Sequence, residues 1–298
     1  YRRARGRCPG RCARPPTGVT DNDPDTTHPA APSGLPVGDL LRSGPVTVDI
    51  AAPEIALAVG AHPDDIEFGC GATLAKWSAS GTAIHYLILT DGSKGSWDPN
   101  ADLAELVASR QRECRASAAI IEGSAAASSS SPPDRVHFLG RVDGELENGI
   151  DERREVARLV RSVRPSVVLG HDPWRRYRLH PDHRAAGFLT IDALVAARDH
   201  HFFPELGVEP HRPDTLLLFE PDLPNHVEEA EVYAKTKIEA LLCHHSQLES
   251  TMGIGSEGDP TATTGAGEFG RQIRHQMAEH GSLAGVPAGE AFRLISDL

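Results

Sequence analysis

Ile55-Ala56-Leu57-Ala58-Val59-Gly60-Ala61-His62-Pro63-Asp64-Asp65 is the stretch that decides how this chain is read. Its first six residues are small or apolar, as in a short strand buried on both faces of a parallel sheet. The run stops at a tight turn that carries one histidine and two carboxylates. In α/β proteins, ligands collect beyond the carboxyl ends of such strands. His62 and Asp65 stand three apart and can point to one side of a turn, with Asp64 between them. A hydrolytic zinc site takes about three protein ligands and leaves a position open for water. A carboxylate beside the ligands can then act as the base. Taken alone, the turn reads equally well as a helix cap whose aspartates bind backbone N–H groups.

Around this stretch, apolar runs alternate with helical patterns. Residues 84–90, 135–139, 165–170 and 215–219 read as further strands. Residues 73–77, 103–121, 152–163, 181–197 and 228–244 read as helices, with a last helix near 272–279 and a closing segment at 290–293. Such alternation implies an α/β protein: a mostly parallel sheet with helices on both faces. Residues 46–298 are expected to form one domain. Residues 1–45 are rich in Arg, Pro and Thr without periodicity and are expected to be disordered or loosely attached. The Ser/Ala/Pro stretch 124–133 reads as a loop. The Gly-rich stretch 253–270 reads as an irregular connector or a mobile loop over a site.

The 298 residues carry a formal net charge of -12. Residues 1–17 hold six Arg and no acid, which leaves 24 basic against 42 acidic side chains in the rest. That balance argues against nucleic acid as a partner. No apolar run reaches the length of a membrane span. Five cysteines, widely spaced and without a C-x-x-C pair, suit free thiols in the cytoplasm. The basic tail lacks the apolar core of a secretory signal.

A second His-rich turn changes the weight of the first. The strand 165–170 leads through His171-Asp172-Pro173-Trp174-Arg175-Arg176-Tyr177-Arg178-Leu179 to His180-Pro181-Asp182-His183. Pro181 suits the first turn of a helix, which puts His180 at its N-cap and His183 one turn in. Both turns follow parallel strands, so both lie on one edge of the sheet. One can supply His and Asp ligands, the other a third ligand and an acid.

Ala-His-Pro-Asp-Asp after the first strand, with His-Pro-Asp-His before a later helix, resembles the PIG-L/LmbE deacetylases. Weaker matching elements are Leu89-Thr90-Asp91-Gly92, Arg110-Gln111-Arg112-Glu113 and residues 240–247. The resemblance implies a Rossmann-like three-layer α/β fold and a metal-dependent amidase that removes acetyl groups from N-acetylglucosamine-type conjugates. It implies Zn2+ as cofactor, with another divalent metal such as Fe2+ as the alternative. It implies metal ligation by His62, Asp65 and His183, with Asp64 as base on the attacking water. His180 would be the acid that stabilises the oxyanion and protonates the amine, and Asp182 would orient His180 and favour its imidazolium form. Arg110 would bind substrate, and Tyr177 matches a tyrosine that assists the oxyanion in the family. The partner is a small amino-sugar substrate; homo-oligomerisation is left open. An amidase acting on a larger amide, such as a mycothiol S-conjugate, and a non-catalytic sugar- or metal-binding protein are the rival readings.

Other residues admit two readings each. Trp97, on the loop after the second strand, reads as a sugar-stacking residue or as loop packing. Arg175, Arg176 and Arg178 crowd the approach to His180 and read as contacts to an anionic group of the substrate or as partners of surface acids. Gly69-Cys70-Gly71 lacks the rest of a dinucleotide fingerprint. His244 and His245 read as helix-end or core residues.

Overall fold

The computed structural model describes residues 45–123, 134–255, 262–296 and 298. The element order is β1 (Thr47–Val48), β2 (Ile55–Gly60), α1 (Asp65–Ala79), β3 (Ala83–Thr90), α2 (Leu103–Glu122), β4 (Val136–Arg141) and α3 (Ile150–Val163). It continues with β5 (Val167–His171), α4 (Pro181–Arg198), β6 (Thr215–Phe219), β7 (His226–Glu229), α5 (Ala234–Leu241), α6 (Ala262–Ser282) and β8 (Gly289–Ile295). The strands form one sheet in the order β1-β7-β8-β6-β5-β2-β3-β4. Every pairing is parallel except those of β8, which runs antiparallel to β6 and β7.

Strand alternation sorts the core into two faces. Ala56 and Ala58 of β2 face a cluster with Leu74, Cys114 and Ala240, from α1, α2 and α5. Leu57 and Val59 face the opposite cluster, with Val156, Val160 and Leu189 from α3 and α4. The period of two is what lets one all-apolar strand serve both layers. The chain lays β3 and β4 outward on one side of β2 and then crosses back to place β5 on the other. The sheet therefore has its switch point between β2 and β5, where a crevice opens beyond the strand ends.

Three sequence expectations fail. The helix expected at 73–77 begins at Asp65, and the Gly-Cys-Gly segment lies inside it as a kink, with Cys70 at φ -150, ψ 17. The break is tolerated because Glu290 of β8 caps the second half: its carboxylate accepts from Ala72 N (3.1 Å) and Thr73 N (2.7 Å). Gly69 is required there, since a Cβ would lie 2.5 Å from the Phe219 ring. The helix expected over 228–244 is split, because 226–229 pairs as β7 between β1 and β8. Glu228 is buried in that strand, taking His226 Nε2 at 2.9 Å and Lys76 Nζ at 2.5 Å. The stretch 253–270 is irregular only in part, since α6 starts at Ala262. Phe269, Ile273 and Met277, spaced four apart, form a stripe that packs on Ile238 and Leu241. The expectations for residues 1–44 and 124–133 lie outside the described residues. Among the described residues no helix is long and apolar enough to cross a membrane.

Candidate active site

Local backbone chemistry fixes the turn after β2. Thr90, at the end of β3, donates to Ala61 O from both its N and its Oγ1, each at 2.8 Å. His62 N donates to Asp65 Oδ2 at 2.7 Å, which closes the turn on itself. Asp64 sits at the N-cap of α1 with φ 123, ψ -26, a conformation strained for a residue with a Cβ. Arg110 of α2 locks that conformation from beneath. Its Nη2 donates to Pro63 O (2.7 Å) and lies 3.4 Å from Asp64 Oδ2, and its Nη1 donates to Gly92 O (3.0 Å). Gly95 must lack a Cβ, which would meet Arg110 Nη1 at 2.5 Å.

The loop between β5 and α4 brings the second group. Pro181 opens α4, and His180 caps it, with Nδ1 accepting from Asp182 N at 3.3 Å. Asp182 is fully buried and turns away from His180. Its Oδ2 accepts from Gly144 N (2.6 Å) and faces His62 Nε2 (3.2 Å), and its Oδ1 accepts from Leu146 N (3.2 Å). The Asp182 carboxylate therefore faces His62, while toward His180 it offers its backbone N–H and a charge that favours the imidazolium against burial and the neighbouring histidines. Asp143, beyond β4, reaches the same His62 Nε2 at 3.1 Å.

The two turns converge. His62 Nδ1 lies 3.2 Å from His183 Nε2 and 3.3 Å from Asp65 Oδ2, and His183 Nε2 lies 3.2 Å from Asp65 Oδ1. Donors about 2.0–2.1 Å from a tetrahedral zinc stand roughly 3.3 Å from one another, which is the spacing of the two imidazole nitrogens, with one Asp65 oxygen turned to each of them. Two imidazoles with one carboxylate are also the donor chemistry of hydrolytic zinc sites. Among the described residues, donor atoms also gather within 4.8 Å in three overlapping sets: His62/His180/His183, Asp65/His171/His183 and His62/Asp143/Asp182.

Burial and charge separate the two adjacent aspartates. Burial is the main cause that lifts Asp64 to about 6, with Asp65 adding and Arg110 opposing. Burial also opposes ionisation of Asp65, but His183 and His171 outweigh it and hold that carboxyl well below its usual range. His62 is resisted by burial yet held well above its ordinary value by Asp143, Asp182 and Asp65. His180 is pushed below its ordinary value by burial and by the neighbouring His62 and His183. Because Nδ1 accepts from Asp182 N, the ring presents Nε2–H to the cleft.

These groups border a cleft of about 530 Å³ that also reaches Phe68, Lys94, Glu220, Gln247 and Thr251. Of the residues expected to bind substrate, Arg110 borders the cleft while spending its guanidinium on the turn. Arg178 is buried and bonded to Glu220 at 2.7 Å and to His171 at 2.8 Å, so it is a structural cation and not a substrate contact. Arg175 and Arg176 pair with Glu220 and Asp222. Trp97 and Tyr177 stand in solvent, Tyr177 with 91% of its surface exposed, and neither borders the cleft. Asp143, His171 and Glu220 went unnoticed in the sequence. His171 is the last residue of β5, Glu220 follows β6 directly and Asp143 stands two residues past β4, so all three lie at strand ends as His62 does. The weak Arg110-x-x-Glu113 element gains a reason: Glu113 accepts from Ser246 N (2.9 Å) and Oγ (2.6 Å), fixing the segment that carries Gln247.

Residues 57–194 match the family described as PIG-L, GlcNAc-PI de-N-acetylase. The chain is 32% identical over 226 residues to diacetylchitobiose deacetylase of Thermococcus kodakarensis, covering 75% of this chain and 80% of that protein. It is 34% identical to a 1D-myo-inositol 2-acetamido-2-deoxy-alpha-D-glucopyranoside deacetylase of Streptomyces avermitilis, covering 51% of this chain and 56% of that one. The structure superposes on N,N'-diacetylchitobiose deacetylase from Pyrococcus horikoshii with a TM-score of 0.69 and 26% identity, over 82% of this chain and 84% of the other. A 4-carboxy-2-hydroxymuconate hydratase from Pseudomonas putida shares the fold at 19% identity and a TM-score of 0.62, over 81% of this chain and 96% of the hydratase. One fold thus carries two reactions, and the reaction must be argued from the site.

Proposed function

The chain belongs to the PIG-L family of de-N-acetylases, and from that premise we propose that it is a metal-dependent hydrolase removing the acetyl group of an N-acetylglucosamine-type conjugate. The observation that carries this reading is the convergence of two distant turns: His62 Nδ1 lies 3.2 Å from His183 Nε2, and the Asp65 carboxylate spans both, Oδ2 at 3.3 Å from His62 and Oδ1 at 3.2 Å from His183, with the buried Asp64 carboxylate beside them. His62, Asp65 and His183 would hold the metal, zinc or an alternative such as Fe2+. A bound divalent metal supplies Lewis-acid polarisation and lowers the pKa of water to about 7.

The protein's own groups divide the remaining work. Asp64, raised to about 6 by burial, accepts the proton of the attacking water at a carboxylate oxygen. His180 presents Nε2–H to the oxyanion as it develops on the acetyl carbon. The proton that Asp64 takes from water is available to the leaving amine, so the proton count closes without one from His180. Arg110 keeps the Asp64 carboxylate aimed and carries the balancing charge. The amine and acetate then leave through the open cleft.

Release of free amine from N,N'-diacetylchitobiose, an N-acetylglucosaminyl inositol and a larger cysteine amide of the same sugar distinguishes the readings. Release from either acetamido sugar, restored by zinc after chelation, is the expected result. Cleavage of the larger amide alone would replace the deacetylase reading with that of a general amidase. No turnover of any of the three in the zinc-loaded protein would leave a binding protein.

A further inference from the structure

We infer that His171 is a positioning residue: its Nε2–H holds the Asp65 carboxylate as a metal ligand, and Arg178 and Glu220 fix the tautomer that makes this so. The inference rests on the metal-dependent reading above. His171 ends β5 and is almost fully buried. Its Nε2 lies 3.2 Å from Asp65 Oδ2 and its Nδ1 lies 2.8 Å from Arg178 Nη1. By distance alone it could pass for a ligand, since its donor atom gathers with those of Asp65 and His183.

Hydrogen-bond chemistry decides against that. A guanidinium donates and never accepts, so Nδ1 of His171 is the acceptor at 2.8 Å and Nε2 bears the hydrogen; the Ala61 N–H that also faces Nε2 is 3.5 Å away, at the limit of hydrogen bonding. An N–H cannot ligate a cation, but it can donate to the carboxylate it faces. Arg178 is itself fixed by Glu220, whose Oε2 takes Nη2 at 2.7 Å. Glu220 follows β6 with φ 56, a left-handed conformation costly for a residue with a Cβ and kept where the surroundings impose it. The same arginine lies 3.4 Å from Nδ1 of His183, at the limit of hydrogen bonding, so it constrains His183 far less.

The consequence falls on Asp65. Its Oδ2 takes both His62 N at 2.7 Å and His171 Nε2. Two donors satisfy that oxygen and leave Oδ1, on the His183 side, as the oxygen for a cation. Packing keeps the imidazole in this orientation, since it stacks on His183 (centroids 4.4 Å, interplanar 17°) and meets Phe219 edge-on (4.6 Å, 64°). Behind it, a Cβ on Gly187 would lie 2.7 Å from His171 O, so α4 presses directly on the strand end.

The test is the zinc dissociation constant of the purified full chain, measured by competition with a chromogenic chelator, beside the melting temperature of the metal-free protein. His171→Leu is expected to weaken zinc binding about 10–100-fold. His171→Gln, whose amide can accept from Arg178 and donate to Asp65, is expected to stay within about fivefold of the natural protein. Equal affinity of the Leu variant, or equal loss in Leu and Gln variants, would overturn the inference. If His171→Leu does not fold, Glu220→Ala carries the test: a weaker zinc affinity at unchanged metal-free melting supports the relay, and an unchanged affinity refutes it. If the natural chain binds no divalent metal, the metal-dependent reading fails and this inference with it. If it binds zinc and the variants match it, only this inference fails.

Discussion

The turn after β2 and the loop after β5 deliver groups to the same cleft but are held in opposite ways. All five residues 61–65 are buried, and their carbonyls and carboxylates are bonded to Thr90, Arg110 and one another. The loop 171–180 is buried near its ends and held in its exposed middle by Arg175 and Arg176, which pair with Glu220 and Asp222. His171 and Arg178 are buried, whereas Trp174, Tyr177 and Leu179 stand in solvent. A base must meet water in one geometry, and the strained, fully bonded Asp64 turn provides it. His180 stands on the exposed loop side of the cleft, the place the proposed oxyanion donor would need.

The largest effect should come from breaking the first turn's chemistry while keeping its shape. Asp64→Asn is expected to lower kcat by about 10²–10⁴-fold with zinc affinity retained. A variant with near-natural turnover would move the base to another residue. Second is the lock. Arg110→Ala strips Pro63 O, Gly92 O and the Asp64 carboxylate of a buried donor, and should destabilise the fold by about 3–5 kcal/mol in urea unfolding. A loss below about 1 kcal/mol would show that the turn holds its conformation without Arg110.

Third is the pH dependence. Asp64 must be ionised to accept a proton, and burial raises it to about 6 in the metal-free chain. A cation beside it favours the ionised form, so kcat/KM should rise with pH along a limb centred at or below 6 and be complete above it. Activity that falls over that range would contradict the base assignment. The smallest effects belong to the exposed residues. Trp97→Ala and Tyr177→Ala should each change stability by less than about 0.5 kcal/mol and alter KM more than kcat. A large kcat loss at Tyr177 would show that the loop folds over the substrate.

Much of this arrangement was legible in the chain. An unbroken apolar run marks a two-sided strand, and His62, Asp64, Asp65, His180 and His183 stand at strand-end and helix-start positions that sequence spacing can locate. Boundaries set by distant partners were not legible. Nothing local to Cys70 reveals that Glu290, some 220 residues on, caps the kinked helix. Pairing with β1 and β8 draws Glu228 and Glu229 into a strand, although they begin the stretch that reads as a helix over 228–244. The bonded partner of the Asp182 carboxylate was hidden for the same reason. Adjacency in sequence suggested His180, whereas the buried carboxylate bonds to His62, 120 positions away. Arg178 looked like a substrate contact because its acid, Glu220, lies beyond the next strand.

The most direct measurement is metal content and acetate release on one preparation. The protein is stripped with a chelator, reloaded with zinc in steps, and assayed on N,N'-diacetylchitobiose at each step. The expected result is no turnover when stripped, recovery that saturates near one zinc per chain, and neither binding nor recovery in a His62→Ala, His183→Ala double variant. Full acetate release from the stripped protein, or from the double variant, would contradict a metal-dependent deacetylase.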